Sequence, residues 1–278
     1  MFKHPIYLVP VDFTSVSKDA ANLALELAKT NEGSAYLLNI VSKESQKIKA
    51  RQEMSEFVEE FEKEYGDLIT TNIISGNIFE DIGKSGDILK ASIIVMGTHG
   101  AKGMQKVYKS HAVKIIQNSH VPLLITQGEK QLNKIENIVF PFSYARETMQ
   151  IATFAANLAK QFNAKMHLVG FDASDELLDK KTNTNQIVIS KHLNELGIES
   201  EIVHLEAKGK GSYEKELLAY AEKVDADILA AAFFKEGVLP TPNSFIQHMI
   251  ENKLHIPVLT VNADELSTVR SQYSFITV

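Results

Sequence analysis

The sequence predicts an α/β protein built from two doubly wound domains. Each carries a five-stranded parallel sheet in the order 3-2-1-4-5, with helices on both faces. Three observations predict it. Short apolar, β-branched runs recur along the 278 residues. Each is followed by a segment whose apolar residues fall at helical spacing. The whole series is then run through a second time. Strands alternating with helices require right-handed crossovers, which build a parallel sheet covered on both faces.

The first run is Ile6 to Val11, ending at Asp12. Its continuous apolarity suits a strand buried on both faces. Asp12 to Ser17 supplies helix-capping residues, and Ala20, Leu23, Ala24, Leu27 and Ala28 share one helical face. Asn31-Glu32-Gly33 ends that helix, and Ala35 to Val41 reads as the second strand. A charged helix over 43–65 follows, with Phe57, Phe61 and Tyr65 four apart, a spacing that makes it a solvated amphipathic element. A strand over 68–74, a helix over 78–89, a strand over 92–96, a helix over 109–118 and a strand over 121–126 complete the first domain.

A polar stretch, 127–136, separates the repeats, giving domains over 1–127 and 137–262 and a tail over 263–278. Asn137 to Phe142 repeats the first strand with its proline, and 149–162 and 165–171 repeat the first helix and second strand. Segments 185–196, 199–205, 213–223 and 227–234 continue the series. The ends of the repeats match best. Ala91 to Met96 parallels Ala226 to Ala231, and His120-Val121-Pro122 parallels His255-Ile256-Pro257 at the same separation. Phe275 and Ile276 in the tail are apolar enough to cover an edge or dock on the other domain.

Composition narrows the function classes. The formal net charge is −6 with a pI near 5.9, which argues against bulk attraction to nucleic acid or an anionic membrane. There is no Cys, so disulfides, thiolate catalysis and Cys-ligated metals are excluded. The first ten residues lack the pattern of a signal peptide, and no apolar run approaches a membrane span; a cytoplasmic protein is expected. His167, His192, His204 and His248 are scattered without zinc spacing, so no metal site is expected. His120 and His255 read as turn residues before the last strands, and the glycine-rich 206–212 segment lacks Walker spacing.

The informative segment is Met96-Gly97-Thr98-His99-Gly100-Ala101-Lys102-Gly103, directly after the fourth strand. Its glycines let backbone approach a ligand, and consecutive N–H groups there form an anion nest. Lys109-Ser110-His111 is expected to open the next helix, whose free N–H groups and dipole favour a phosphate. In an open parallel sheet, ligands sit beyond the carboxyl ends of strands where the order reverses. Asp12 and Gly97 end the first and fourth strands and share that crevice if the order is 3-2-1-4-5; Asp12 then suits a ribose or a base, and backbone at Ile40 suits an adenine edge. Asp12 also reads as a helix cap, and His99 as an ordinary loop histidine.

Pro10-Val11-Asp12-Phe13-Thr14, the Gly97 to Gly103 segment and Val121-Pro122-Leu123-Leu124 resemble the universal stress protein family, whose nucleotide motif is Gly-x2-Gly-x9-Gly-Ser/Thr. The resemblance implies binding of ATP, or of ADP or AMP, with Mg²⁺ as a companion ion. It also implies dimerisation through the last strand, giving a homodimer, and a role in stress response. By the same resemblance, Asp12 would hold ribose or adenine and Ile40 would contact adenine, beside Pro10, Val11 and Met96 at the strand ends. Gly97, His99 and Gly100 would line the phosphates, and Ser110 would touch one, flanked by Lys109 and His111. Counted back from Pro122, Ser110 takes the place of the motif's Ser/Thr, Lys109 replaces its glycine, and the loop is one residue short.

In the second half, Ala232, Phe234 and Lys235 take the places of Gly97, His99 and Gly100, Phe245 that of Ser110, and Ser143 that of Asp12. That domain is expected to be a pseudo-dimer partner that binds no nucleotide. A glycine nest without a nucleophile-base pair or a metal carboxylate pair favours regulatory binding over catalysis. The alternatives are a weak ATP hydrolase using His99 or Asp12, and an interaction scaffold with a relic loop.

Overall fold

The computed structural model describes residues 4–98, 106–128, 134–143, 148–171, 176–206, 212–233 and 244–263, with backbone alone at 106–111, 171, 178 and 244. The chain divides into two compact units, Met1–Asn133 and Lys134–Val278.

In the first unit the strands are β1 (Ile6–Pro10), β2 (Ser34–Val41), β3 (Ile69–Ser75), β4 (Ile93–Gly97) and β5 (Leu123–Thr126). The helices are α1 (Ser15–Thr30), α2 (Lys47–Tyr65), α3 (Ile78–Leu89) and α4 (Lys106–Gln117). The strands pair in parallel in the order β3-β2-β1-β4-β5, as expected. β1 is central, and Tyr7, Leu8 and Val9 are buried on both of its faces. β3 lies at the edge, where Thr70, Thr71 and Asn72 are exposed.

α1 shows how the local sequence sets this frame. Thr14 is its N-cap, accepting from the Ser17 N–H at 3.4 Å. The anticipated face, Ala20, Leu23, Ala24, Leu27 and Ala28, is buried. At the other end the Asn31 side-chain amide donates to the Leu27 carbonyl (2.8 Å) and to the Tyr7 hydroxyl (3.0 Å). That bond ties the helix end to β1. Burial pushes the Tyr7 phenol up to about 12, against the lowering effect of Asn31.

The second unit holds β6 (Asn137–Pro141), β7 (Lys165–Phe171), β8 (Ser200–Leu205), β9 (Ile228–Phe233) and β10 (Val258–Asn262). Its helices are α5 (Thr148–Phe162), α6 (Glu176–Leu196), α7 (Ser212–Lys223) and α8 (Ser244–Ile250). The order is β8-β7-β6-β9-β10, again parallel. The fold is therefore repeated element for element.

Several boundaries differ from the sequence expectation. α4 starts at Lys106, three residues before Lys109, and β10 covers Val258–Asn262. α6 starts at Glu176 and takes in the polar run Thr182 to Asn185. Tertiary packing and spacing explain it: Thr182 is 3% exposed, and Lys180–Glu176 (2.7 Å) and Asn183–Asp179 (3.1 Å) pair one turn apart. His255 has φ 54°, the left-handed geometry of a turn residue. Among the described residues, no helix is long and apolar enough to cross a membrane. The tail over 264–278 lies outside the described residues.

Candidate functional site

β2 and β4 flank β1 on opposite sides, so the chain leaves their carboxyl ends in opposite directions and a crevice opens between them. The first unit has a cleft of about 130 Å³ at that point. Pro10 at the end of β1 and Val11 after it, Leu38 and Ile40 of β2, and Met96 and Gly97 of β4 line it. Val16 and Ser17 close it from α1, Ile78 and Ile82 from α3, and Ile115 from α4. The lining is mostly apolar, with a few polar groups at the strand ends, the usual make-up of a small-molecule site.

Asp12 is exposed at the mouth. Its Oδ1 accepts from the Thr14 N–H (3.1 Å) and from the Thr14 hydroxyl (2.6 Å). The turn is tight enough to put Phe13 at φ 64°, and the Phe13 ring packs edge-on to Phe57 at 5.9 Å. Thr14, not Asp12, is therefore the cap of α1, and the Asp12 carboxylate holds Thr14 in the turn before the helix. Oδ1 fixes the entry to α1, and Oδ2 has no partner among the described residues.

Gly97 has a reason to be glycine beyond the one the sequence suggests. A Cβ there would lie 2.3 Å from the Val16 carbonyl oxygen and 2.7 Å from its carbon. Its missing side chain lets the first turn of α1 press on the end of β4, which closes one wall of the cleft. The next residue, Thr98, continues the ladder by donating to the Thr126 carbonyl at 2.8 Å.

At the end of β2 the ladder stops short. The Val11 N–H donates to the Leu38 carbonyl (2.8 Å), but the Val11 carbonyl accepts from the side-chain amide of Asn39 (2.8 Å). In a parallel pair, every second residue directs its N–H and C=O to the same neighbour. Leu38 faces β1, so Ile40 does too, one step beyond the last β1–β2 partner pair, Pro10 and Leu38. Among the described residues, no strand-to-strand bond from Ile40 reaches the β1 side.

Pro10, Val11, Asp12, Ile40, Met96 and Gly97 therefore meet around one cleft. His99 and Gly100 lie outside the described residues, as do the side chains of Lys109, Ser110 and His111. The backbone corrects one expectation for those three. α4 opens at Lys106, so its unpaired helical amides belong to residues 106–108, and the Lys109 and Ser110 N–H groups already fall inside the helix. Sequence reasoning missed Ser17, Asn39, Ile78, Ile82 and Ile115. Asn39 did leave a signal, a lone amide in the apolar run Leu37 to Val41.

The same place in the second unit is built otherwise. The Phe142 N–H donates to the Val169 carbonyl at 3.0 Å, which makes Phe142 the counterpart of Val11 and Gly170 that of Asn39. The Phe142 ring lies on Gly170, 2.6 Å from where a Cβ would stand, and meets the His204 ring edge-on at 6.2 Å. Ser143, in the place of Asp12, has its hydroxyl 3.3 Å from that of Thr148, and its carbonyl accepts from Asn185 at 2.8 Å. An amide and a carboxylate have given way to an aromatic ring and a hydroxyl. Ala232 is buried in β9, while Phe234 and Lys235 lie outside the described residues.

Comparison with known proteins agrees with this architecture. Residues 6–127 match the model of the universal stress protein family. A universal stress protein of Methanocaldococcus jannaschii is 28% identical over 140 residues, covering 45% of this chain and 82% of that protein. Among solved structures, a universal stress protein from Archaeoglobus fulgidus superposes with a TM-score of 0.69 at 17% identity, covering 94% of this chain and 100% of its own. A putative universal stress protein from Pseudomonas aeruginosa gives 0.64 at 14% identity, covering 98% of each chain. The last two similarities are of fold.

Proposed function

We propose that the first unit, which matches the universal stress protein family, binds an adenine nucleotide and that binding serves a regulatory, stress-related role. The observation that carries this reading is the cleft at the strand-order reversal, where Asp12 Oδ2 and the backbone edge of Ile40 face a mostly apolar hollow. A planar base fits against Leu38, Ile40 and the isoleucines of α3, with the Ile40 N–H and C=O toward its polar edge. Asp12 then accepts from a ribose hydroxyl. The phosphates extend toward the loop after β4 and the N-terminal end of α4, which carries Lys109 and Ser110, the residues of the family resemblance.

Binding without fast turnover suits this lining. Asp12 is its one ionisable side chain among the described residues, so neither a second carboxylate nor a base stands ready to activate water there. ATP with Mg²⁺ is the expected ligand, and a homodimer of tandem chains the expected assembly.

Calorimetric titration with MgATP tests the reading. The wild type is expected to bind. Asp12→Asn keeps an acceptor for Thr14 but removes the charge, and is expected to weaken binding about tenfold, the scale of one charged hydrogen bond of about 1.4 kcal/mol. An absence of heat and of thermal stabilisation at millimolar MgATP would refute the proposal.

A further inference from the structure

The interrupted ladder at the end of β2 has an identifiable cause. Val11 contributes the last strand-to-strand N–H donor of β1, to Leu38, and its carbonyl should next accept from the Ile40 N–H. The Asn39 amide nitrogen holds that carbonyl at 2.8 Å instead. Asn39 is 7% exposed, and its other amide atom, Oδ1, has no partner. A buried side chain with one atom unsatisfied persists where its remaining bond matters, because leaving such a group unpaired costs stability.

We propose that Asn39 is a positioning residue which keeps the Ile40 backbone edge open for the adenine base that the nucleotide reading already places there. By capping the Val11 carbonyl, Asn39 stops β1 from pairing one residue further. The N–H and C=O of Ile40 then remain as an adjacent donor and acceptor at the cleft. Their complement is a ring nitrogen beside an exocyclic amino group, which adenine offers. Hypoxanthine presents a 6-oxo group in place of that amino group, so the Ile40 C=O meets an acceptor; on its N1 edge the ring nitrogen carries a proton, so the Ile40 N–H meets a donor as well. The proposal rests on the nucleotide reading of the cleft, but its first test does not.

Amide hydrogen exchange on the full chain without ligand reads the edge directly. The Ile40 N–H is expected to exchange fast in the wild type while Leu38 stays protected. In Asn39→Leu, which keeps the branched shape and removes the donor, Ile40 is expected to gain at least ~10-fold protection as the Val11 carbonyl becomes available, the scale of one hydrogen bond of about 1.4 kcal/mol. Asn39→His places Nδ1 where the amide nitrogen stands and is expected to restore fast exchange. Protection of Ile40 in the wild type, or no change in Asn39→Leu, overturns the proposal.

Titration then compares ATP with ITP. The wild type is expected to prefer ATP by at least ~10-fold, since a site built to hydrogen-bond a group rejects an analogue lacking it. Asn39→Leu is expected to lose most of that preference, with Asn39→His recovering it. A preference unchanged in Asn39→Leu overturns the role of Asn39 and leaves nucleotide binding standing. A wild type that binds neither nucleotide but shows the expected exchange pattern refutes the selection of adenine and retains the open edge.

Discussion

Single atoms decide more at this site than residue types do. Asp12 reads equally as cap or ligand group in the sequence; the cap is Thr14, which Asp12 Oδ1 holds in place, while Oδ2 has no partner among the described residues. Gly97 fits a phosphate loop by pattern, yet the contact that demands glycine is the Val16 carbonyl of α1. Gly97→Ala is therefore expected to destabilise the first unit by about 1–3 kcal/mol, the cost of overpacking against backbone, measured by urea unfolding. The expected consequence for ligand binding follows from the same push, because Val16 and Ser17 form a wall of the cleft. An unchanged unfolding midpoint would show that α1 can retreat at no cost.

At the level of elements, caps and buried polar pairs fix where strands and helices meet. Thr14 both caps α1 and donates to Asp12, so Thr14→Ala is expected to cost about 1 kcal/mol, again by urea unfolding. In the second unit, β7 carries His167, 4% exposed. Its Nε2 donates to Asn137 Oδ1 of β6 (3.1 Å), and its Nδ1 accepts from the Tyr220 hydroxyl of α7 (2.9 Å). That pairing uses the neutral ring. Burial, and then the charge of Lys165, hold the His167 pKa below its ordinary value, against the opposing pull of Glu201 and Glu199. Below about pH 6.5 the unfolded chain, with an ordinary histidine, binds more protons than the folded one. The stability this histidine contributes is thus full above that pH and falls as the solution is acidified. Urea midpoints between pH 7.5 and 5 are expected to fall more steeply for the wild type than for His167→Gln; parallel slopes would remove His167 as the cause.

For the molecule as a whole, one fold is used twice with two different strand ends. The first unit keeps Asp12, Asn39 and an open Ile40 edge, while the second sets Phe142 on Gly170 and puts Ser143 where the carboxylate stood. One adenine nucleotide per chain is the expected stoichiometry in calorimetry. A value of two would mean that the second unit binds by other means.

Much of this was legible in the amino-acid order, for definite reasons. Continuous apolar runs such as Ile6 to Val11 and Val121 to Thr126 reveal buried parallel strands, because burial on both faces leaves no polar alternation. The repeated strand-proline and His-x-Pro segments reveal duplication, and turns after strands locate the ligand end. Helix starts were less legible: α6 runs through Thr182 to Asn185 because Thr182 finds a buried place there. Propensity is weak beside packing.

The sequence alone determined the α/β class, its repetition and the strand ends around which the candidate site forms, since each follows from periodicity and spacing along the chain. Only the tertiary structure decided why Gly97 lacks a side chain, which oxygen of Asp12 is free, and that Asn39 takes the Val11 carbonyl from Ile40. Those are contacts between residues distant in sequence. A hydrogen bond or a steric limit of that kind exists only once the strands and helices have met.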